Sequence, residues 1–469
     1  MDLSRPFFSG IAGTGMSALA QYLAFQGPDV SQVSGSDRSL DRGAESAKRA
    51  YFEGIGVRLA PQDGNGVDGS SCLVVSTAIE STNPEVQRAQ ALGIPIVHRS
   101  DLLAELARRK KTIAISGTSG KSTVTGMAWH VLEAGGLKPS LITGANLNSL
   151  MGTGLLGNAK AGAGEWLLIE ADESDGSLIK YAPEIGVVLN VEKDHKEIAE
   201  LIPRFERFRD QTTRRVIVND DDAYCRDLKR PGHASFRHAS MADGAAEKVL
   251  FGDWGTYFSL GGTDFRLNVP GRHNLANAMA ALAIGREVGV SLADCARGLE
   301  AYRGVERRHV RIGEAGGVTV VDDFAHNPAK VKACLETVKS AADGNPRRIL
   351  ALFHPHGFAP MKLMGADLMQ GAAAALDAGD VLFLPEIYYA GGTADKTISS
   401  ADLARIANDL KPEAGGRFAR FAATKDEAIA AVAAEARPGD WVVSMGARDP
   451  SLGDFAARLF QAIRAARGV

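Results

Sequence analysis

Between an apolar run, TIAI at 112–115, and a helix-like stretch, VTGMAWHVLEA at 124–134, the chain reads SGTSGKST at 116–123. Glycines let backbone N–H groups turn inward where a strand hands over to a helix, and the helix start adds a positive end. That convergence suits a phosphate. Lys121 would reach the outer phosphates and Ser122 would ligate Mg²⁺, with Gly117, Thr118, Ser119, Gly120 and Thr123 completing a P-loop. The pattern GxxxxGK[ST] asks for glycine at position 115, where this chain has Ile115. A plain glycine-rich strand-to-helix connection is the bland alternative.

Two further strand ends carry groups such a loop would use. LLIEADESDGS (167–177) places Glu170, Asp172, Glu173 and Asp175 where a strand meets its loop, and VVLNVEKDH (187–195) places Asn190, Asp194 and His195 likewise. Ligands of open α/β sheets gather at the carboxyl ends of strands. Hard cations take oxygen ligands, and a second ion could accept imidazole nitrogen. Either cluster alone would read as a solvated loop; downstream of one P-loop, both point to a divalent metal.

The N-terminal GIAGTGMSA (10–18) fits a dinucleotide fingerprint in the register Gly13-x-Gly15-x-x-Ala18, with Asp37 following about 20 residues on. Such a turn recognises pyrophosphate rather than a base, so NAD and any other diphosphate-linked nucleoside stay open; a second nucleotide loop on another domain favours the latter. PGRHNLANAMAALA (270–283) starts with His273, Asn274 and Asn277 and buries Leu275, Met279 and Leu282 at helical spacing. Its polar start could stack on a base and read its edge, although helix capping by Asn274 is the simpler reading of that residue. VVDDFAHNP (320–328) puts Asp322, Asp323, His326 and Asn327 at another strand end. No G-x-S-x-G elbow accompanies them, which argues against a serine hydrolase.

The elements that must position these residues are short apolar runs alternating with helical patterns, the rhythm of βαβ units. PFFS, VSGS, CLVVS and IPIVH are the first series; EWLLIEA, EIGVVLNV and RRVIVND follow the P-loop strand; a Gly- and aromatic-rich meander spans 248–274; VTVVDDF, RRILALFHPH, DVLFLPEIY and WVVSMGA form a third series among Ala-rich helices. The fold class expected is α/β in three domains: a Rossmann-like domain over 1–109, a P-loop domain with a mostly parallel sheet over 110–313, and a Rossmann-like α/β domain over 314–469. A length of 469 residues fits about three cores.

Composition narrows the partners. A net charge of -3 gives no bulk attraction to nucleic acid, and no apolar run is long enough to span a membrane. Cys72, Cys225, Cys295 and Cys334 show neither a disulfide framework nor zinc spacing. That cysteine usage makes the reduced cytoplasm the expected compartment, and the N-terminus shows no secretion-signal pattern.

In collinear order, GIAGTGMSALA with VSGSD, LVVSTAI with NPEV, GTSGKST, EADESDGS, LNVEKDH, GRHNLANAMAA, GVERRH, DDFAHNP and the PH of FHPHGF resemble the Mur ligase family over nearly the whole chain, most closely its branch that adds L-alanine to UDP-N-acetylmuramate. The resemblance implies an ATP-dependent ligase that activates a carboxylate as an acyl phosphate for attack by an amine, in peptidoglycan precursor synthesis or recycling. It implies domains for the UDP-sugar, for ATP with Mg²⁺ or Mn²⁺, and for an amino acid or short peptide acceptor; a homodimer is a candidate assembly. By the same resemblance Lys121 and Ser122 would serve the phosphates and Mg²⁺, and Glu173 and His195 would ligate metal. His273, Asn274 and Asn277 would face adenine, Arg308 the phosphates, Asp323 the ribose and His326 the reacting end of the substrate. Gly13, Thr14, Gly15 and Met16 would line the UDP diphosphate, Ser36 and Asp37 the uridine side, and Asn190 the substrate.

Departures fall on the acceptor side. The branch usually carries PHR, whose arginine can hold a carboxylate through a bidentate pair, whereas this chain reads PHGFAPMK with Gly357 there and Lys362 nearby. HNP replaces the family's common HHP at 326–328, and Lys196 follows the DH pair. The acceptor is therefore open between L-alanine, another amino acid and a tripeptide. A nucleotide-binding protein that has lost catalysis and an NAD dehydrogenase are the readings from other classes.

Overall fold

The computed structural model describes residues 1–25, 30–43, 45–151, 153–173, 175–192, 197–340, 347–389, 396–449 and 451–468. They form two compact units, one holding 1–249, 257–268 and 274–305 and the other 250–256, 269–273 and 306–469.

The first unit contains two large sheets. In the first, the strand order is Arg58–Leu59, Ser34–Ser36, Pro6–Ser9, Cys72–Val75, Ile96–His98, every pair parallel. That is a doubly wound order, which opens a crevice at the carboxyl ends beside Pro6–Ser9. The second sheet runs Ala234–Phe236, Arg215–Asn219, Ile185–Val188, Lys111–Ser116, Trp166–Glu170, Ser140–Ile142, Ala159–Lys160, and only its last pairing is antiparallel. Lys111–Ser116 is central and buried from Thr112 onward, as an apolar run covered on both faces should be. The sequence expected most of these strands; the two-to-three-residue strands Ser140–Ile142 and Ala159–Lys160 are too short to show a period. Glu247–Phe251, Thr256–Leu260 and Thr263–Leu267 form a three-stranded sheet where the meander was expected.

The helix Lys121–Ala134 is seated on glycines. A Cβ at Gly298 would stand 2.6 Å from the His130 carbonyl oxygen and the Val131 Cα, and one at Gly285 would stand 2.5 Å from Val131 Cγ1. Gly298 lies against the helix backbone and Gly285 against a buried valine side chain, and nothing larger fits at either place.

In the second unit a six-stranded sheet runs Val310–Ala315, Val318–Asp323, Trp441–Gly446, Ile349–His354, Val381–Pro385, Ala419–Ala422. Val310–Ala315 pairs antiparallel with Val318–Asp323 and the rest are parallel. This hairpin straddles the domain border expected at 313/314, since the tight turn between its strands ties residue 310 onward to the third sheet. Among the described residues, no helix is long and apolar enough to cross a membrane.

Candidate functional site

The P-loop strand ends at Ser116, and Gly117 follows with φ +132°, where a Cβ would meet Leu189 Cβ at 3.0 Å and the Asn190 nitrogen at 3.1 Å. Only glycine fits this close approach in a left-handed conformation. Ile115, which stands where the pattern wanted glycine, is a fully buried strand residue paired with Val187 and Glu170. The turn therefore begins two residues later than the pattern asks.

Asn190 clasps the turn from the neighbouring strand end. Its Oδ1 accepts from Ser119 N at 2.8 Å, its Nδ2 donates to Ser119 O at 3.0 Å, and its carbonyl accepts from Thr118 N at 3.2 Å. Thr118 Oγ1 in turn donates to Glu192 O and accepts from Glu192 N. Gly120, with φ +87°, precedes the helix, which has no side-chain cap and no acidic residue in its first turn. Ser119 Oγ is buried without a hydrogen-bond partner among the described residues. Asn277 comes close from another helix: a Cβ at Gly120 would lie 2.7 Å from its Oδ1.

Lys121 Nζ donates to Glu173 Oε2 and to Gly117 O, both at 2.7 Å. Glu173 is 5% exposed, and Arg204 donates to its carbonyl at 2.9 Å. Burial raises the Glu173 carboxyl above the usual range against the pull of Lys121. For Lys121, burial acts downward but the Glu173, Asp172 and Glu170 carboxylates outweigh it, so the ammonium stays above its ordinary value. Asp194, His195 and Lys196 lie outside the described residues, and among the described residues no three His, Cys, Asp or Glu side chains form a metal-binding group.

At the N-terminal turn, Gly10 N and Ile11 N donate to Ser36 O at 2.9 and 3.0 Å, and Ala12 N donates to Asp37 Oδ2 at 3.0 Å. Asp37 Oδ1 accepts from Ser39 N at 2.8 Å, capping the short helix Arg38–Asp41. Asp37 thus shapes the turn, with both oxygens already engaged. The Ser36 and Ser9 hydroxyls both donate to the fully buried Glu85. Met16 is a core side chain, so only its backbone N–H is suited to a ligand, while Gly13 and Thr14 are exposed at the uncapped start of helix Thr14–Ala24. Asn274 is not a helix cap, because its helix already begins at Arg272; it accepts instead from Asn277 Nδ2 at 3.2 Å.

The second unit holds the other expected residues. Asp323 Oδ2 accepts from His309 N and its Oδ1 from Ala325 N, both at 2.7 Å. Arg307 Nε pairs with the buried Asp322 at 2.8 Å. The guanidinium groups of Arg307 and Arg308 stand 5.3 and 5.1 Å from the Phe324 ring centre. Arg307 and His309 are left-handed, with φ 55° and 52°. His326 Nδ1 lies 2.7 Å from Phe324 O, and burial lowers its pKa to about 3, so the ring is neutral near pH 7. Asn327 caps the helix Pro328–Lys339 through Lys330 N at 2.9 Å. His273 packs against Gly271, where a Cβ would meet its ring at 2.8 Å.

Sequence reading passed over Arg204, Arg307 and His309. Arg307 and His309 flank a residue it did name, and their positive φ has no sequence signature in non-glycine residues.

Three stretches match the Mur ligase family: residues 8–111 its catalytic domain, 115–285 its middle domain and 307–448 its glutamate ligase domain. The chain is 39% identical over 463 residues to a UDP-N-acetylmuramate–L-alanine ligase of Streptomyces avermitilis, covering 95% of each chain. The chain belongs to the Mur ligase family. As a Mur ligase it is an ATP-dependent, ADP-forming ligase of an acid and an amino acid. A relative of the same name from Pelotomaculum thermopropionicum is 35% identical over 96% of each chain. Among solved Mur ligase structures, a UDP-N-acetylmuramate–alanine ligase of Thermotoga maritima aligns with a TM-score of 0.77 at 25% identity, covering 98% of this chain and 99% of that one. A murein peptide ligase of Psychrobacter arcticus shares the fold, with a TM-score of 0.65 at 21% identity over 98% of this chain and 99% of that one.

Proposed function

We propose that this Mur ligase joins the carboxylate of UDP-N-acetylmuramate to the amine of L-alanine in peptidoglycan precursor synthesis, using ATP. The observation that carries the reading is the buried Lys121–Glu173 pair at 2.7 Å, set at an uncapped helix start behind Gly117 and Gly120. The residues fit a triphosphate tail: amide donors without a cap, an orphaned Ser119 hydroxyl and one lysine. Asn277 abuts the loop where the adenine end is expected.

A carboxylate is a poor electrophile, and its conversion to an acyl phosphate gives the amine a leaving group to displace. Charge spreads over the transferring phosphoryl oxygens, and Lys121 with the loop amides would stabilise it. Ser122 and Glu173 supply the oxygen donors that a hard divalent cation takes, with His195 as an expected third ligand. Mg²⁺ or Mn²⁺ held there would neutralise phosphate charge. We assign Arg308, Asp323 and His326 to the nucleotide and the reacting end, and the N-terminal turn to the UDP diphosphate.

Gly357 favours a second reading of the acceptor. It has φ +72°, and a Cβ there would stand 3.1 Å from the Pro360 ring, so an arginine at this position would be strained. A tripeptide or another amine is the alternative. Phosphate release should require UDP-N-acetylmuramate and an amine together; an amine screen containing L-alanine and L-alanyl-γ-D-glutamyl-meso-diaminopimelate separates the acceptors. Release with no amine present, or ATP binding without any amide product, would refute the ligase reading. Cytoplasmic location and a homodimer complete the proposal, the latter open to light scattering.

A further inference from the structure

Asn158 lies next to the edge strand Ala159–Lys160 of the second sheet and is 1% exposed. Its carbonyl accepts from Thr143 N at 2.9 Å, within its own sheet layer. Its side chain reaches the first sheet's leading helix instead. Nδ2 donates to Thr14 O at 2.8 Å and to Ser17 Oγ at 2.9 Å, and Oδ1 accepts from the fully buried Gln21, whose own Oε1 accepts from Tyr51 at 2.8 Å. The Thr143 hydroxyl and Gly144 N both donate to the carboxylate of Glu170, at the strand end beside the P-loop strand.

We infer that Asn158 is a positioning residue that sets the N-terminal diphosphate turn from the ATP-binding sheet. A trans peptide is planar, so its C=O and N–H point in opposite directions. Fixing Thr14 O therefore fixes the Gly15 N–H, which heads toward the open helix start where an anion is attracted. A buried amide with all its donors used holds one orientation, because leaving any of them unmade is costly.

This inference rests on the assignment of that turn to the UDP-sugar. The test compares wild type, Asn158→Asp, Asn158→Ala and Ser17→Ala by steady-state kinetics and by calorimetric binding of UDP-N-acetylmuramate. Asn158→Asp keeps the shape and the acceptor but loses the donors. We expect its KM and Kd for UDP-N-acetylmuramate to rise about ten-fold, with kcat and the ATP KM within about two-fold of wild type. Ser17→Ala removes one partner and should show a smaller rise of about three-fold, which keeps the question answerable if neither Asn158 variant folds. Lys180→Ala breaks a different contact between the first 109 residues and the stretch that follows, its 2.6 Å pair with Asp101, and should leave that KM unchanged. Unchanged sugar affinity in Asn158→Asp, or an equal rise in Lys180→Ala, would overturn the inference alone. A wild type that binds no UDP-N-acetylmuramate would overturn the functional reading together with it.

Discussion

Lys121 and Glu173 meet at 2.7 Å with side chains 16% and 6% exposed, so each is the other's main compensation for leaving water. Removing one partner of such a pair strands the other charge. Lys121→Ala should abolish ADP and phosphate release, by at least about 100-fold, because the transferring phosphoryl group loses its cation. It should also cost about 3 kcal/mol of stability. Paired activity and denaturation curves check both; turnover near wild type in a folded Lys121→Ala protein contradicts the role of the loop.

Asn190 holds Ser119 through both ends of its amide. Asn190→Ala frees the turn and deletes two hydrogen bonds, worth about 2 kcal/mol. The KM for ATP should rise about ten-fold while the KM for the sugar nucleotide stays put. Equal rises in both would mean that the residue acts on the fold rather than on the loop.

Asp323 anchors the left-handed segment at Arg307 and His309 by accepting from the His309 and Ala325 amides. Asp323→Ala should destabilise the protein by about 2 to 4 kcal/mol, since hydrogen bonds to a charged acceptor are lost and strain is left unsupported. Urea titration followed by circular dichroism reads this directly.

Glu85 is buried beneath Ser9 and Ser36, and burial raises its carboxyl above the usual range against those hydroxyl bonds. A raised folded pKa means the folded state keeps the proton longer. The resulting stability is full below the ordinary glutamate pKa of about 4.3 and is lost as pH climbs through the folded value. Glu85→Gln keeps the neutral shape, so its melting temperature should gain on wild type as pH rises from about 4 toward 7. A difference independent of pH would show that Glu85 titrates normally.

His130 titrates with the opposite sign. Burial lowers its pKa to about 4, and its Nδ1 lies 2.7 Å from Gly126 O. A depressed histidine contributes stability above the ordinary value of about 6.5 that is lost as pH falls toward the folded value. His130→Phe should therefore flatten the acid limb of the melting profile between about pH 6.5 and pH 4; an unchanged limb would place the acid sensitivity elsewhere.

The strand-to-helix junctions were legible in the sequence because glycine and apolar runs mark them directly: Gly120 and the strand Lys111–Ser116 stand where the motif put them, while the turn opens at Gly117 rather than at position 115. The partners of those residues were not. Asn190 looked like a substrate contact and is engaged by the loop itself; Ser36 looked like a uridine contact and its hydroxyl serves Glu85. Both pairings join residues far apart in the chain, at 71 and 49 positions, which local periodicity cannot report. Asn158 carries no motif at all, and only the packing of one layer on another makes its amide matter.

The glycine seat under helix Lys121–Ala134 makes the 116–123 turn hostage to two positions far from it in the chain. A single methyl at Gly298 or Gly285 has backbone or a buried valine in its way, so the helix must shift to admit it. Random mutagenesis should therefore find these two codons nearly as intolerant as the lysine codon itself; a Gly285→Ala allele can be rescued by shortening Val131, whereas Gly298→Ala meets backbone that no side-chain change removes.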